Sequence, residues 1–404
     1  MKYVILQGDG MPDHKLAELD GKTPLQVADT PNLDYIAKRA GLFGMVKTIP
    51  DSLPPGSDVG NLTVLGYDPM KYYTGRSPLE AASIGVALMP TDVTLRCNLV
   101  TLSNKNGSEI MEDYSAGHIT TEQAHEILRD IKKELDGNGF IFHPGISYRH
   151  LLVWKEGNKD INTTPPHDIS GRQINPHLPK GEGTELLLEL IAKSKEILKD
   201  HPVNRKRIEQ GQNPVTSIWL WGQGVAPKMP SFKQLYGLSG SVISAVDLVK
   251  GIGHYAKLDV IDVPGATGYL DTNYEGKVEY ALNSLTEVDL TMIHIESTDE
   301  TGHVGDPKLK IQAIEDFDKR VVGNVLEGMK KKFKDYKILV MSDHPTPIDI
   351  RTHTSDPVPF AIFSSTDTKI RNESNVYTED CANNSGEIVQ EGWRLIGTLI
   401  GKTS

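Results

Sequence analysis

The sequence predicts an α/β fold, a mostly parallel sheet between helices, assembled from both ends of the chain with an α+β domain inserted between them. Three observations carry this. The chain opens on the buried-strand run KYVILQ, which breaks at Gly8-Asp9-Gly10 and leads into TPNLDYIAKRA, whose apolar residues recur at helical spacing. Towards the other end, LTMIHIEST and YKILVMSDH are β-rich runs separated by a helical segment over about 307–332, the spacing of a parallel strand–helix–strand unit. Between these ends, from about 104 to 232, charge and turn residues become denser, as in SNKNGSE, KEGNKDINTTPPHD and NPHLPKGEG.

The remaining elements follow the same logic. VPFAIFSS (358–365) reads as a further core strand, and GEIVQEGWRLIGTLIG as the final helix. Within the middle, helices are expected near 121–136 and 184–199, with short strands at SYRHLLVW and SIWLWG and a linker at GQGVAPKMPSF (222–232). The core is therefore assigned to 1–77 and 233–404 and the insertion to 78–232. No internal repeat or low-complexity tract interrupts this plan.

Composition narrows the function. With 404 residues, 38% hydrophobic and 24% charged, the chain suits a globular protein of more than one domain. A net charge of -11 excludes the basic footprint that nucleic acid requires, but not a small anionic substrate held by a few local cations. Two cysteines, Cys97 and Cys381, make no disulfide framework and no zinc motif. The N-terminus reads as a first strand rather than a signal peptide, and no apolar run reaches the roughly 18 residues that a membrane span needs, so a cytoplasmic protein is expected.

Ligands of an open parallel sheet bind beyond the carboxyl ends of its strands. Three such ends carry candidate metal ligands: Asp9; then Asp299 and His303; then Asp343 and His344, with His353 further along the same loop. A fourth element, LPPGSDVGNL, presents Ser57 ahead of a helix-like stretch whose N–H groups can receive phosphate oxygens. One Asp after a strand is usually a turn former and one Ser after Gly a cap. Four such elements in one chain point instead to two divalent metals in a mixed oxygen and nitrogen ligand set, which favours Mn, Zn or Co. Such a pair can activate a Ser hydroxyl and clamp an in-line phosphoryl displacement.

The segments GDGMPD, GKTPLQVADTPNLDYIAKRA, PPGSDVGNLTVLGYDPMKYYTGRSPLEAAS, DETGHVGD and SDHPTP closely resemble the archaeal-type cofactor-independent phosphoglycerate mutases of the alkaline phosphatase superfamily. The resemblance spans essentially the whole chain. It implies an alkaline-phosphatase-like core and an inserted lid that traps the substrate. It makes Ser57 a nucleophile that becomes phosphoserine. One metal is held by Asp9, Ser57, Asp343 and His344, and the other by Asp299, His303 and His353. The metals are expected to be Mn2+, with Zn2+, Co2+ or Mg2+ as alternatives, and no 2,3-bisphosphoglycerate is needed. Lys250 resembles a lysine that stabilises the transferring phosphoryl group. Arg76, Arg96, His118, Arg149 and His167 are candidates for binding the anionic substrate, and Asp168 could act as acid/base for the glycerate hydroxyls. The GDGMPD turn departs from the usual archaeal pattern, and LPPGSDVGN also resembles a bacterial branch proposed to phosphorylate homoserine. A homoserine kinase-like phosphotransferase is thus the alternative enzyme, although no Walker-type glycine loop is present. A catalytically silent metal-binding scaffold is the third reading, disfavoured by intact candidates at every ligand position. The expected partner is a small phosphorylated molecule; oligomeric state is not specified.

Overall fold

The first strand, Lys2–Gly8, is buried on both faces along almost its whole length and forms the centre of an eight-stranded sheet. The computed structural model describes residues 1–402. Across the sheet the strands run Ile388–Val389, Leu42–Val46, Val358–Ser364, Tyr336–Met341, Lys2–Gly8, Leu290–Ile295, Gly240–Ile243 and Asp259–Ile261. Val358–Ser364 is antiparallel to both of its neighbours and all other pairs are parallel. A buried parallel sheet needs both faces covered, which explains why its strands read as continuous apolar runs rather than alternating ones.

Register then places the chemistry. Gln7 pairs with His294 on one side and Met341 on the other, so the chain exits at Asp9, Glu296 and Asp343 leave the same edge side by side. On one face, Val4, Leu6, Ile293 and Val340 pack against Leu33, Ile36 and Ala37 of the helix Pro31–Arg39 and against Phe317 and Val321. The expected helical segment runs from Pro307 to Lys332, with a π-helical stretch at Phe317–Gly323 in its middle.

By contact density the chain divides into two units, Met1–Tyr73 with Lys228 onward, and Thr74–Pro227; these junctions lie slightly ahead of the expected 77/78 and 232/233. The second unit holds five antiparallel strands. Along its strand Val93–Lys105, Leu95, Cys97 and Leu99 enter a core with Ile127, Leu128 and Ile131 of the helix Thr121–Leu135 and Leu187 and Ile191 of the helix Thr184–Lys199. Strand alternation sends Arg96 and Asn98 to the other face, beside Trp221. Both cysteines are free.

Two expected elements differ. The final helix is broken into a two-residue strand Ile388–Val389, a 3-10 turn Gly392–Arg394 and a short helix Leu395–Ile400. Gly386 turns the chain at a φ of 78°, and pairing of Ile388 with Met45 captures residues whose glycines make them poor helix formers. The expected linker begins inside a strand, because Ser217–Val225 continues until Val225 pairs with Val93. Among the described residues no helix is long and apolar enough to cross a membrane.

A buried ion pair braces the loops at the site edge. Lys310 Nζ donates to Asp13 Oδ2 at 2.7 Å and to the Thr346 carbonyl at 2.7 Å, and both charged side chains are fully buried. Asp13 also accepts from the Ile348 N–H at 3.2 Å, so the loop after the first strand is tied to the loop that follows His344. Removing one partner of such a pair strands the other charge. Lys310→Ala should lower the stability of this unit in chemical denaturation by about 3–5 kcal/mol; a change below about 1 kcal/mol would show that the pair is not a brace.

Candidate active site

Ser57 opens the helix Ser57–Val64 and is only 7% exposed. Its Oγ lies 3.1 Å from His344 Nε2. The same Nε2 is 3.3 Å from Asp343 Oδ2 and 3.5 Å from Asp9 Oδ1, and Asp9, Asp343 and His344 converge their ligand atoms to within 4.8 Å. A second group, Asp299, His344 and His353, converges equally closely. His303 joins it, with Nε2 3.1 Å from both Asp299 Oδ2 and His353 Nε2. The six strand-end candidates and Ser57 therefore meet in one place, with His344 between the two groups.

Close approach of backbone makes this possible. Gly10 has a φ of 58°, and a Cβ there would lie 2.4 Å from Asp299 Oδ1. Gly60 lets the Ser57 helix sit against the Asp343 loop, since a Cβ would come within 2.7 Å of the Asp343 carbonyl oxygen. Asn61, not recognised from the sequence, donates to the Ser57 carbonyl at 2.9 Å and to Asp343 Oδ2 at 2.9 Å, joining serine and carboxylate. Thr346, also missed, donates its hydroxyl to Asp299.

The electrostatics call for cations. Burial and the neighbouring Asp343, Glu296 and Asp299 push Asp9 well above the usual carboxylate range, and burial likewise raises Asp343. Asp299 goes the other way: burial raises it, but the hydrogen bond and charge of His303, with His344 and His353, hold it low. Burial takes His344 and His353 down to about 4, which keeps them neutral with lone pairs to give. Asp9 Oδ1 is buried without a hydrogen-bond partner. Crowded carboxylates, neutral imidazoles and an orphaned oxygen aimed among them are the donor set that divalent metals require, so the residues fit the metals that the sequence implies.

Lys250 is on the helix Asp247–Tyr255, which packs against the Ser57 helix. Its ammonium is held by Asp262 Oδ1 at 2.6 Å. Lys277, fully buried, donates to the His294 carbonyl at 3.2 Å. Burial lowers it to about 8. Neither Lys277 nor His294 and Glu296 was singled out from the sequence. HIE inside a β-rich run reads as strand, and only the turn of the chain after Ile295 makes it part of a site.

The other candidates gather on one face of the second unit. Arg76 Nε and Arg96 Nε reach the two oxygens of Glu80 at 3.1 and 3.0 Å. Burial alone would raise Glu80, but the Arg96 and Arg76 charges outweigh it and hold it low. Arg96 stacks over Trp221, and the His167 ring meets Trp221 edge-on at 5.4 Å. His167 Nε2 lies 3.6 Å from Asp168 Oδ1. His118 and Arg149 flank Tyr148, with ring-to-ring and guanidinium-to-ring distances of 6.0 and 5.4 Å. Two arginines share one carboxylate and the charge of a third, Arg149, also bears on it, which leaves an excess of positive charge suited to an anion. Glu80, Tyr148 and Trp221 were missed because a carboxylate in a predicted anion site and two aromatics in predicted strands carry no separate signal.

Residues 38–204 match a family profile described as 2,3-bisphosphoglycerate-independent phosphoglycerate mutase, and residues 208–352 one described as type I phosphodiesterase / nucleotide pyrophosphatase. A protein of Geobacter sulfurreducens, named a probable 2,3-bisphosphoglycerate-independent phosphoglycerate mutase, is 52% identical over 402 residues, covering 100% of both chains. A mutase of that name from Methanosarcina mazei is 51% identical over 99% of this chain and 100% of its own. The chain belongs to the 2,3-bisphosphoglycerate-independent phosphoglycerate mutase family. Among solved structures, a Pyrococcus horikoshii protein superposes with a TM-score of 0.82 at 26% identity, covering 100% of this chain and 98% of its own. The cofactor-independent phosphoglycerate mutase of Thermoplasma acidophilum gives 0.64 at 26% identity, covering 99% of each. The mutase relatives lend the homoserine-phosphorylating alternative no support. As a family, these mutases are metal-dependent phosphotransferases.

In this family member His303 provides a pH test. Burial lowers its pKa, but the hydrogen bond and charge of Asp299 outweigh burial and raise it to about 9, above the ordinary 6.5. A raised folded-state pKa stabilises fully below the unfolded value and is lost as pH climbs through the folded one. Without metal, the stability advantage of wild type over His303→Gln should therefore be largest below about pH 6.5 and fade towards about pH 9. A difference that is flat across that window, measured by denaturant midpoints, would refute the pairing.

Proposed function

We propose that this protein interconverts 3-phosphoglycerate and 2-phosphoglycerate through a phosphoserine at Ser57. The observation that carries the reading is the Ser57 hydroxyl, 3.1 Å from His344 and at the opening of a helix, beside buried carboxylates and imidazoles whose ligand atoms converge at metal-binding spacing. Asp9, Ser57, Asp343 and His344 would hold one divalent ion and Asp299, His303 and His353 the other, with Mn2+ favoured by the mixed donor set. Bound there, two divalent ions supply charge neutralisation and a lowered pKa for a coordinated hydroxyl.

The chain's own residues do the rest. In the first half, Ser57 Oγ loses its proton and bonds to phosphorus as the bond to the substrate 3-oxygen breaks and that oxygen takes up a proton. The glycerate then turns, its 2-hydroxyl loses a proton, and its oxygen attacks phosphorus as the Ser57 oxygen leaves. Backbone N–H groups at the start of the Ser57 helix orient phosphoryl oxygens. Lys250 would act on the transferring group after exchanging its Asp262 partner. In the second unit, Arg76, Arg96, Arg149, His118 and His167 would bind the substrate anion and Asp168 would move hydroxyl protons. That unit acts as a lid. Water reaching the phosphoserine would turn the mutase into a phosphatase, so closure is part of the chemistry.

Two experiments test this. Ser57→Ala should abolish interconversion by several orders of magnitude while leaving the fold intact, and wild type briefly exposed to substrate should carry phosphate on Ser57 by mass spectrometry. Phosphate trapped only at another residue ends the mechanism. Separately, phosphorus label on 3-phosphoglycerate should reach 2-phosphoglycerate with Mn2+ present and neither nucleotide nor 2,3-bisphosphoglycerate added. Weakening a clamp by Arg149→Ala should raise released phosphate relative to 2-phosphoglycerate; no turnover by the Mn2+-loaded wild type would overturn the substrate assignment.

A further inference from the structure

The two carboxylate oxygens of Asp9 are in different situations. Oδ1 is buried without a hydrogen-bond partner and faces His344 Nε2 at 3.5 Å. Oδ2 is 2.7 Å from His294 Nε2. Behind the ring, His294 Nδ1 lies 3.0 Å from Ser244 Oγ. The Val246 N–H donates to that same Oγ at 2.9 Å, which occupies a lone pair and leaves the hydroxyl proton free for Nδ1. Lys277 holds the backbone of the same residue through the His294 carbonyl. Ser244, His294 and Asp9 are all buried, at 3%, 0% and 0% exposure, so these contacts are shielded from bulk solvent.

With Asp9 ionised, as a metal ligand must be, Oδ2 can only accept, and the 2.7 Å contact then puts a proton on His294 Nε2. This decides between two uses of the residue. Asp9, His294 and Glu296 bring ligand atoms within 4.8 Å of one another, the spacing of a third cation site. An Nε2 that carries a proton has no lone pair for a cation, which removes His294 from such a site. What remains is an orienting role.

We infer that His294 is a positioning residue, and that the chain Ser244–His294–Asp9 turns the Asp9 carboxylate so that it offers the metal one oxygen, Oδ1. The inference rests on the reading of Asp9 as a metal ligand. With Oδ2 engaged by His294, Oδ1 is the oxygen left without a partner, on the side of His344 and Ser57, and is the one the carboxylate would offer an ion. An outer partner that orients a ligating side chain is worth roughly 10- to 100-fold in metal affinity.

The test is Mn2+ binding by the full-length protein, followed by calorimetry with chelator competition. His294→Leu should weaken one of the two ions by roughly 10- to 100-fold and leave the other unchanged. His294→Gln, whose amide N–H can reach Asp9 Oδ2, should recover most of that loss, which a merely space-filling role would not predict. Ser244→Ala keeps the ring in place and should give a smaller loss at the same ion; it also serves if His294→Leu fails to fold. Asp9→Asn is the control. If Asp9→Asn loses the ion but His294→Leu and Ser244→Ala bind as tightly as wild type, the positioning role is wrong while the metal reading stands. Equal weakening of both ions by His294→Leu and His294→Gln also overturns it. Wild-type affinity in Asp9→Asn sinks the metal reading itself.

Discussion

Asp9, Asp299 and Asp343 are held together with 0%, 3% and 0% exposure, and the rest of the site is organised by this crowding of buried carboxylates. Taking one such group out of water costs several kcal/mol unless it is paired, and here the charges of Asp343 and Asp299 bear on Asp9 and that of Asp299 on Asp343. The imidazoles of His303, His344 and His353 offset part of that cost. They cannot offset all of it, because burial keeps His344 and His353 neutral. Cations among these carboxylates would offset the remainder, which is the electrostatic reason the site suits divalent metals.

Such repulsion would spread the loops apart if nothing held them. The restraints come from groups that are not themselves ligands. Lys310 pins Asp13 and Thr346; Thr346 in turn caps Asp299. Asn61 ties the Ser57 helix to Asp343, and Ser244 with His294 turns Asp9. Each restraint is a buried hydrogen bond or ion pair with a fixed direction. Together they fix the orientation of the candidate ligands within the protein itself, the kind of preorganisation that electrostatic catalysis depends on.

The second unit solves a different electrostatic problem. It must hold several guanidinium groups near one another without substrate present. Glu80 neutralises part of the charge of Arg76 and Arg96, and the faces of Trp221 and Tyr148 receive Arg96 and Arg149. The cationic excess that remains accords with the small anionic substrate that an acidic chain could still accommodate.

Much of this was legible in the sequence because it depends on local pattern. A buried strand announces itself as an apolar run, and an Asp or His just beyond it must emerge at the strand's carboxyl end; Asp9, Asp299, Asp343 and His344 follow from that alone. The loops beyond those strands and the turn ahead of a helix-like stretch likewise pointed to His303, His353 and Ser57, and the resemblance of whole segments pointed to the mutase family. Tertiary structure decided what depends on register and on contacts between distant segments. Pairing of Gln7 with His294 and Met341 put three separate exits side by side. The same pairing made His294, an ordinary strand residue by pattern, the partner of Asp9, and made Lys310 and Asp13 one ion pair across almost three hundred positions. The start of the closing segment became a two-residue edge strand because pairing with Met45 outweighed a weak helical preference there, while Leu395–Ile400 stayed helical. Local sequence specifies which side chains leave a strand and where; only the assembled sheet specifies which of them meet.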